Sequence, residues 1–322
     1  MPGGPGTART ITGTQMKPLH IETPLFESRA LSEIAGRPVW LKLEPLQPPG
    51  SFKIRGIGAA CQEYAHRGAK RFISSSGGNA GIAVAYAGRN LSVPVVVVVP
   101  ETTTERAKAL IRQEGAEVIV HGASWIEANA LARSMVRDDD AFLHPFDDPL
   151  VWEGHSSLVD EVAQSGLKPG AVVLSVGGGG LLSGILSGMH RHGWTDIPVI
   201  AVETEGADSL SQSVTAGVPI ELPAIKSIAT SLGATRVCDQ AFGWTTEHPV
   251  HNVVLTDRAA VNACLKILDD HRLVVEPACG AALAAIYDRV PEIEKYDPLL
   301  VIVCGGVTAT LEQLKRWSSD LA

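Results

Sequence analysis

Residues Val95 to Val99 are five consecutive valines set between Pro94 and Pro100. β-Branched side chains favour a pleated strand, and the two prolines bound it. Successive side chains of a strand point to opposite faces, so a run that is apolar at every position has to be covered on both sides. That is the environment of a parallel sheet with helices on each face, and it is the strongest constraint this chain places on its fold.

The rest of the sequence conforms to that expectation. Further strand candidates are Val39–Leu43, Arg71–Ser75, Glu117–Val120, Ala171–Val176, Pro198–Val202 and Leu299–Val303. Between them lie segments of helical period: Lys53–His66, Ala80–Arg89, Thr104–Glu114, Trp125–Arg137, Leu150–Gln164, Leu181–His190, Arg258–Asp270 and Ala278–Asp288. Alternation of strand and helix predicts an α/β fold with parallel sheets. A chain of 322 residues has room for two domains and a cleft between them. The Pro-rich stretches Glu44–Gly50 and Pro145–Pro149 are the candidate crossings. They predict a small domain over residues 47–147, inserted into a larger one formed by 1–46 and 148–322.

Charge and cysteine usage exclude several function classes. A net charge of -8 opposes binding to nucleic acid or to an anionic membrane surface. The five cysteines, Cys61, Cys238, Cys264, Cys279 and Cys304, are scattered and never spaced as Cys-x-x-Cys. This argues against a disulfide framework or a zinc site and for a reducing, cytoplasmic compartment. Ala171 to Met189 carries no charge over 19 residues, but nine of these are Gly or Ser, so a buried strand, a turn and a helix start are expected rather than a membrane span. Met1 to Thr14 is rich in Gly, Pro and Thr without an apolar core and reads as a loose lead-in, not a signal peptide.

Four local patterns carry chemistry. Gly50-Ser51-Phe52-Lys53-Ile54-Arg55-Gly56 opens a helix with a lysine in its first turn. The positive end of the helix dipole disfavours a charged amine there, which suits a lysine that must be neutral and nucleophilic. A lone lysine is otherwise a solvated surface residue. Ser74-Ser75-Ser76-Gly77-Gly78-Asn79-Ala80-Gly81 turns a strand into a helix, either as a simple capped turn or as a pocket whose free N–H groups hold a carboxylate. Val176-Gly177-Gly178-Gly179-Gly180-Leu181 makes the same transition, and four glycines permit a backbone that wraps its amides around a phosphate. Leu299–Val303 delivers Cys304 to Gly305-Gly306. A buried, inert thiol is the ordinary reading of such a cysteine. A dinucleotide site is the rival reading, with Glu203 about 20 residues on as ribose ligand, but no G-x-G-x-x-G fits because positions 182 and 183 are Leu and Ser.

Taken in order, Ser51-Phe52-Lys53-Ile54-Arg55-Gly56, Ser75-Ser76-Gly77-Gly78-Asn79-Ala80-Gly81, Gly177-Gly178-Gly179-Gly180-Leu181 and Val303-Cys304-Gly305-Gly306 resemble the serine/threonine dehydratase family. This is the fold-type-II, tryptophan-synthase-β-like group of pyridoxal-phosphate (PLP) enzymes. Glu276-Pro277-Ala278-Cys279-Gly280-Ala281-Ala282 and the Glu203-Thr204 strand end match as well, so the resemblance spans nearly all of the chain after residue 15 or so. It implies two domains with parallel-rich open sheets flanked by helices, and PLP in the cleft between them. Lys53 would carry the cofactor and then serve as general base, with Phe52 packed on one face of the ring. Gly177, Gly178, Gly179, Gly180 and Leu181 would cradle the phosphate, Asn79 would bond the ring hydroxyl, and Cys304 would face the pyridine nitrogen. Ser76, Gly77 and Asn79 would receive the substrate carboxylate. A monovalent cation, potassium, would lie near Glu203, Ala207, Ser209, Leu232 and Ala234.

The resemblance further implies β-elimination of water and ammonia from L-serine or L-threonine, and a homodimer. A thiol opposite the pyridine nitrogen cannot stabilise a protonated ring as a carboxylate would, which favours elimination over transamination. Serine racemases of this group carry a serine where this sequence has Gly77, and glycine cannot transfer a proton. Gly77 is expected to leave extra space near the substrate, and Ser231 to sit against the ring face opposite Phe52. The chain ends about 16 residues after Gly306, which implies a catabolic enzyme without a C-terminal regulatory domain. Serine racemase, a β-replacing enzyme such as cysteine synthase, a PLP-binding relative without turnover, and a nucleotide-binding protein using Gly177–Gly180 are the competing readings.

Overall fold

The computed structural model describes residues 17–322. The expected lead-in over Met1–Thr14 lies outside these residues. The chain begins with β1 (Leu25–Glu27), α1 (Arg29–Ala35), β2 (Val39–Leu43) and α2 (Lys53–His66). Then come β3 (Arg71–Ser74), α3 (Asn79–Leu91), β4 (Val95–Val99), α4 (Glu105–Gln113), β5 (Glu117–Val120), α5 (Trp125–Ser134) and β6 (Asp140–Phe142). The second half runs α6 (Pro149–Gln164), β7 (Ala171–Ser175), α7 (Gly180–Arg191), β8 (Val199–Thr204), α8 (Ser209–Ala216), α9 (Asp239–Glu247) and β9 (Val250–Leu255). It closes with α10 (Asp257–His271), α11 (Pro277–Tyr287), β10 (Leu299–Val303) and α12 (Leu311–Asp320).

Two sheets result. The larger is ordered β1-β2-β10-β7-β8-β9 and the smaller β5-β4-β3-β6. Every pairing is parallel except β1 on β2. All five valines of β4 are buried, as are all residues of β7, β8 and β10, because helices cover both faces of each sheet. The uncharged stretch Ala171–Met189 forms β7, the glycine turn and most of α7, and among the described residues no helix is long and apolar enough to cross a membrane.

Three strands and four helices go beyond the sequence pattern. β1 and β6 have three residues each, too short to show a period. β9 is VHNVVL, an edge strand whose His251 and Asn252 break the apolar run. α1, α8, α9 and α12 have ten residues or fewer and bury only one to three of them. The stability of α1, α8 and α9 comes from docking rather than from a strong periodic stripe, while α12 is amphipathic but short.

Candidate active site

The carboxyl ends of β2, β10, β7 and β3 give the loops that meet between the sheets, the usual location of a ligand in open α/β folds. There Gly50–Phe52 lies alongside Cys304–Gly306. Phe52 N–H donates to the Cys304 carbonyl (3.1 Å), Gly306 N–H donates to that of Gly50 (2.9 Å), and Ser51 pairs with Gly305. Gly305 has φ 89°, and a Cβ there would stand 2.6 Å from the Gly50 oxygen, so only glycine permits this pairing. The pairing sets Lys53, first residue of α2, beside Cys304 and Glu276.

The Lys53 side chain reaches the cleft, where its amine donates to the Pro145 carbonyl (2.7 Å). Loss of water around the amine lowers its pKa from 10.5 to about 8, against the pull of Cys304 and Glu276. Glu276 is buried at the start of α11, and burial raises its pKa. Its carboxylate accepts from Asn79 Nδ2 (2.7 Å) and from Thr308 Oγ1 (2.7 Å). Cys304 is buried beside Cys279, and this thiol together with burial pushes its own thiol up in pKa.

α2 is held close to α6 by glycine on glycine. A Cβ on Gly154 would stand 2.7 Å from Gly56 Cα, and one on Gly56 would stand 2.8 Å from His155 Nε2. This approach buries His155 completely under Phe52, with ring centroids 4.8 Å apart. Gly56 N–H donates to His155 Nδ1 (3.1 Å), so the proton sits on Nε2, which finds no hydrogen-bond partner among the described residues. Burial and the nearby Lys53 and Arg55 hold this histidine neutral.

On the opposite side Ser76, Gly77 and Gly78 join β3 to α3, with Gly78 N–H pointing to Ser76 Oγ (3.4 Å). The expectation of free space at Gly77 is overturned: a Cβ there would stand 2.6 Å from Thr103 Oγ1 and 2.7 Å from its Cγ2. β3 and β4 are parallel neighbours, so the loop after β4 runs beside that after β3 and fills the gap. Both ends of the Asn79 amide are already held by protein. Nδ2 binds Glu276 and lies 3.5 Å from Ser231 Oγ, while Oδ1 accepts from Val307 N–H (3.2 Å). Ser231 is exposed in a short 3-10 turn, Thr230–Leu232.

Gly177, Gly178, Gly179 and Gly180 lead from β7 into α7, with Leu181 buried behind them. Gly179 has φ 91°, and a Cβ on Gly180 would stand 2.7 Å from the Phe146 carbonyl. Helices α1, α4, α5, α6, α10 and α12 begin with a side chain bonded to a first-turn amide. The helices that begin around the cleft, α2, α3, α7 and α11, have no such side-chain cap. At α3 and α7 the leading amides are left for another acceptor, and an anion suits them best. In α2 the Arg55 and Gly56 amides already donate to the Phe52 carbonyl and His155 Nδ1.

The five residues expected around a cation split into two groups. Glu203 is buried at the end of β8 and its carboxylate accepts from Leu210 N–H (2.9 Å) and Ser211 N–H (2.8 Å), with Ala207 and Ser209 in the same turn. Leu232 and Ala234 lie in the segment after residue 227, which Ser227 ties to Thr204 Oγ1 (2.8 Å). Among the described residues no group of three or more His, Cys, Asp or Glu gathers as a metal site.

The profile of the pyridoxal-phosphate-dependent enzymes matches residues 16–305. The chain belongs to this family. A Bos taurus L-serine dehydratase/L-threonine deaminase is 47% identical over 95% of the chain and 97% of the relative. A Mus musculus serine dehydratase-like protein is 49% identical over 95% and 96%. Among solved structures, an L-serine ammonia-lyase from Rhizomucor miehei superposes with a TM-score of 0.90 at 34% identity, covering 95% of this chain and all of that one.

The site of this PLP enzyme fits the cofactor on its own observations: a desolvated amine at the head of α2, and an uncapped, glycine-opened helix at α7. Sequence reasoning gave Glu276 no role although its motif was visible, because nothing local says that its carboxylate meets Asn79. His155 and Thr103 carry no local signal, and Pro145 and Phe146 were legible only as part of a crossing between domains. They reach the site from α6 and two loops distant in sequence.

The Lys53 amine makes the apoprotein pH-dependent. Its folded pKa lies below the ordinary value, so the unfolded chain binds more protons between about 8 and 10.5. Lys53 therefore opposes folding most below pH 8 or so, and its contribution to stability improves as pH rises through that window. Reaction of the apoprotein with added PLP should speed up about tenfold per pH unit below pH 8 or so and then level off, since only the neutral amine attacks. Stopped-flow absorbance of cofactor loading between pH 6 and 10, taken as a range centred near that pKa, tests this. A rate that goes on rising about tenfold per pH unit to about pH 10 contradicts a depressed Lys53.

Proposed function

We propose that this PLP enzyme is an L-serine and L-threonine dehydratase, converting the amino acid to a 2-keto acid and ammonia by β-elimination. The observation that carries it is the Lys53 amine, brought near neutrality in the cleft beside Cys304 and Glu276. Relatives at 46–49% identity named for serine and threonine dehydration give the substrate class.

When bound, PLP supplies the conjugated electron sink that makes the α-proton of an amino acid removable. Gly177–Leu181 would hold its phosphate on the uncapped start of α7, Phe52 would pack on its ring, and Cys304 would face its nitrogen. The first-turn amides of α3 with Ser76 and Gly77 would bind the substrate carboxylate. Asn79 would sit at the ring edge, its amide oriented by Glu276 and Val307. Lys53 would be the base that takes the α-proton, and the lowering of its pKa to about 8 raises the share of neutral amine that can do so. Cys304 is held as a neutral thiol and would leave the ring nitrogen of PLP without a negative partner, which would favour loss of the β-hydroxyl.

The division into 1–46 with 148–322 and 47–147 belongs to the same proposal, as do a homodimer and a cytoplasmic setting. The two sheets support the division, and the five unpaired, buried cysteines support a reducing setting. Potassium near Glu203, Ala207, Ser209, Leu232 and Ala234 would brace the segment that carries Ser231. Keto-acid formation equal in potassium and in lithium contradicts that assignment; a several-fold preference for potassium is expected.

The deciding experiment follows the visible spectrum of the purified protein during addition of L-serine, with pyruvate measured in the same cuvette. A cofactor band that shifts as pyruvate accumulates is expected. A band without pyruvate overturns the dehydratase reading, and D-serine or a sulfide-dependent product points to racemase or β-replacement chemistry.

A further inference from the structure

Gly77 and Thr103 belong to different loops, yet they make one surface. Ser74 of β3 is in register with Val97 of β4, so the chains leaving these two strands run side by side. Thr103 is half-buried, and its Cγ2 and Oγ1 occupy the volume that a side chain on Gly77 would need. Its position is set from both directions. Thr103 N–H donates to the Pro100 carbonyl (3.0 Å), and Thr104 caps α4 through Ala107 N–H (3.2 Å). One residue into α4, Arg106 Nε donates across the cleft to the Val307 carbonyl (3.0 Å), and Val307 N–H donates to Asn79 Oδ1 (3.2 Å). Gly77, Thr103, Arg106, Val307 and Asn79 thus close a ring of contacts around one end of the cleft.

We propose that Thr103 is the specificity-determining residue for the substrate's β-substituent. Its methyl and hydroxyl groups stand where a residue at position 77 would place its own side chain, and they limit the room for the methyl that separates threonine from serine. The proposal rests on the dehydratase reading of this site. Discrimination of one methyl by a packed pocket is worth about 10–200-fold in kcat/KM, so a single wall residue can set it. Among the described residues Lys53 hydrogen-bonds Pro145 and not Thr103, so the effect of Thr103 should fall on the ratio between substrates rather than on proton transfer itself.

The test is kcat/KM of the PLP-loaded enzyme for L-serine and L-threonine in wild type, Thr103→Ala, Thr103→Ser and Thr103→Val. Deleting the methyl in the alanine and serine variants should raise the threonine-over-serine ratio by about tenfold, the low end of what one methyl is worth. The isosteric valine should leave the ratio close to wild type. Gly77→Ala in the Thr103→Ala background should bring the ratio back down, because its Cβ refills the vacated space. Should the alanine variant fail to fold, the serine variant gives the same reading. Activity on both substrates that falls in equal proportion marks Thr103 as merely structural and overturns the proposal. A wild-type protein that releases no keto acid from either amino acid overturns the dehydratase reading and this proposal with it.

Discussion

Replacing Lys53 by alanine is expected to abolish keto-acid formation while leaving the fold intact. The variant loses the amine that would carry the cofactor and, in the same atom, the base for the α-proton. A positioned acid–base group alone contributes about 10²–10⁴-fold, so turnover should fall by at least about 10⁴ when attachment is lost as well. Structure should survive because the amine makes one hydrogen bond, to the Pro145 carbonyl, and its charge is disfavoured where it stands. Removing it leaves no buried ion without a partner. The measurements are pyruvate release and circular dichroism on the same sample. Turnover near wild type would remove Lys53 from the mechanism, and loss of secondary structure would show that the lysine is structural.

The largest effect on stability is expected two residues later. Arg55 is fully buried, and its guanidinium binds Glu44 through Nε (2.7 Å) and Nη2 (2.8 Å) and Glu161 through Nη1 (2.6 Å) and Nη2 (2.8 Å). Glu161 also meets the buried Lys42 (2.5 Å), and Glu44 accepts from Thr23 Oγ1 (2.7 Å). The network ties the first turn of α2 to the end of β2 and to α6. Arg55→Met keeps the volume but leaves Glu44 buried with no cation beside it. Breaking one side of a buried ion pair costs about 3–5 kcal/mol, so the denaturant midpoint should fall steeply. Arg29→Ala, which deletes an exposed i,i+4 pair with Glu33, should not move it measurably and serves as the control. Equal midpoints for Arg55→Met and wild type would show that the network is energetically idle. Because Lys53 sits on the same helical turn, the surviving folded fraction should also load PLP more slowly.

Much of the fold was legible locally. The boundaries of β2, α2, β4, β5 and β10 follow the apolar runs and glycine or proline punctuation to the residue. The Gly-rich turns were legible for the same reason: a strand, a run of residues without Cβ and a helix start leave few alternatives. What escaped were elements held by docking, such as α8 and α9, and side chains whose role exists only across space. Asn79 illustrates the difference. Its place at the head of α3 is a local matter, but its amide is taken up by Glu276 and Val307, some 200 residues away.

The sequence by itself determined a doubly covered parallel α/β chain, a lysine at a helix start and two glycine-opened helices, since backbone sterics and the period of apolar residues act over a few positions. Only the tertiary structure decided that Gly50–Phe52 pairs with Cys304–Gly306, that His155 lies under Phe52, and that Thr103 closes the space at Gly77. Those outcomes depend on which strands become neighbours and how closely α2 and α6 approach. Strand order and helix approach are fixed by packing of the whole core, and no short stretch of the chain encodes them.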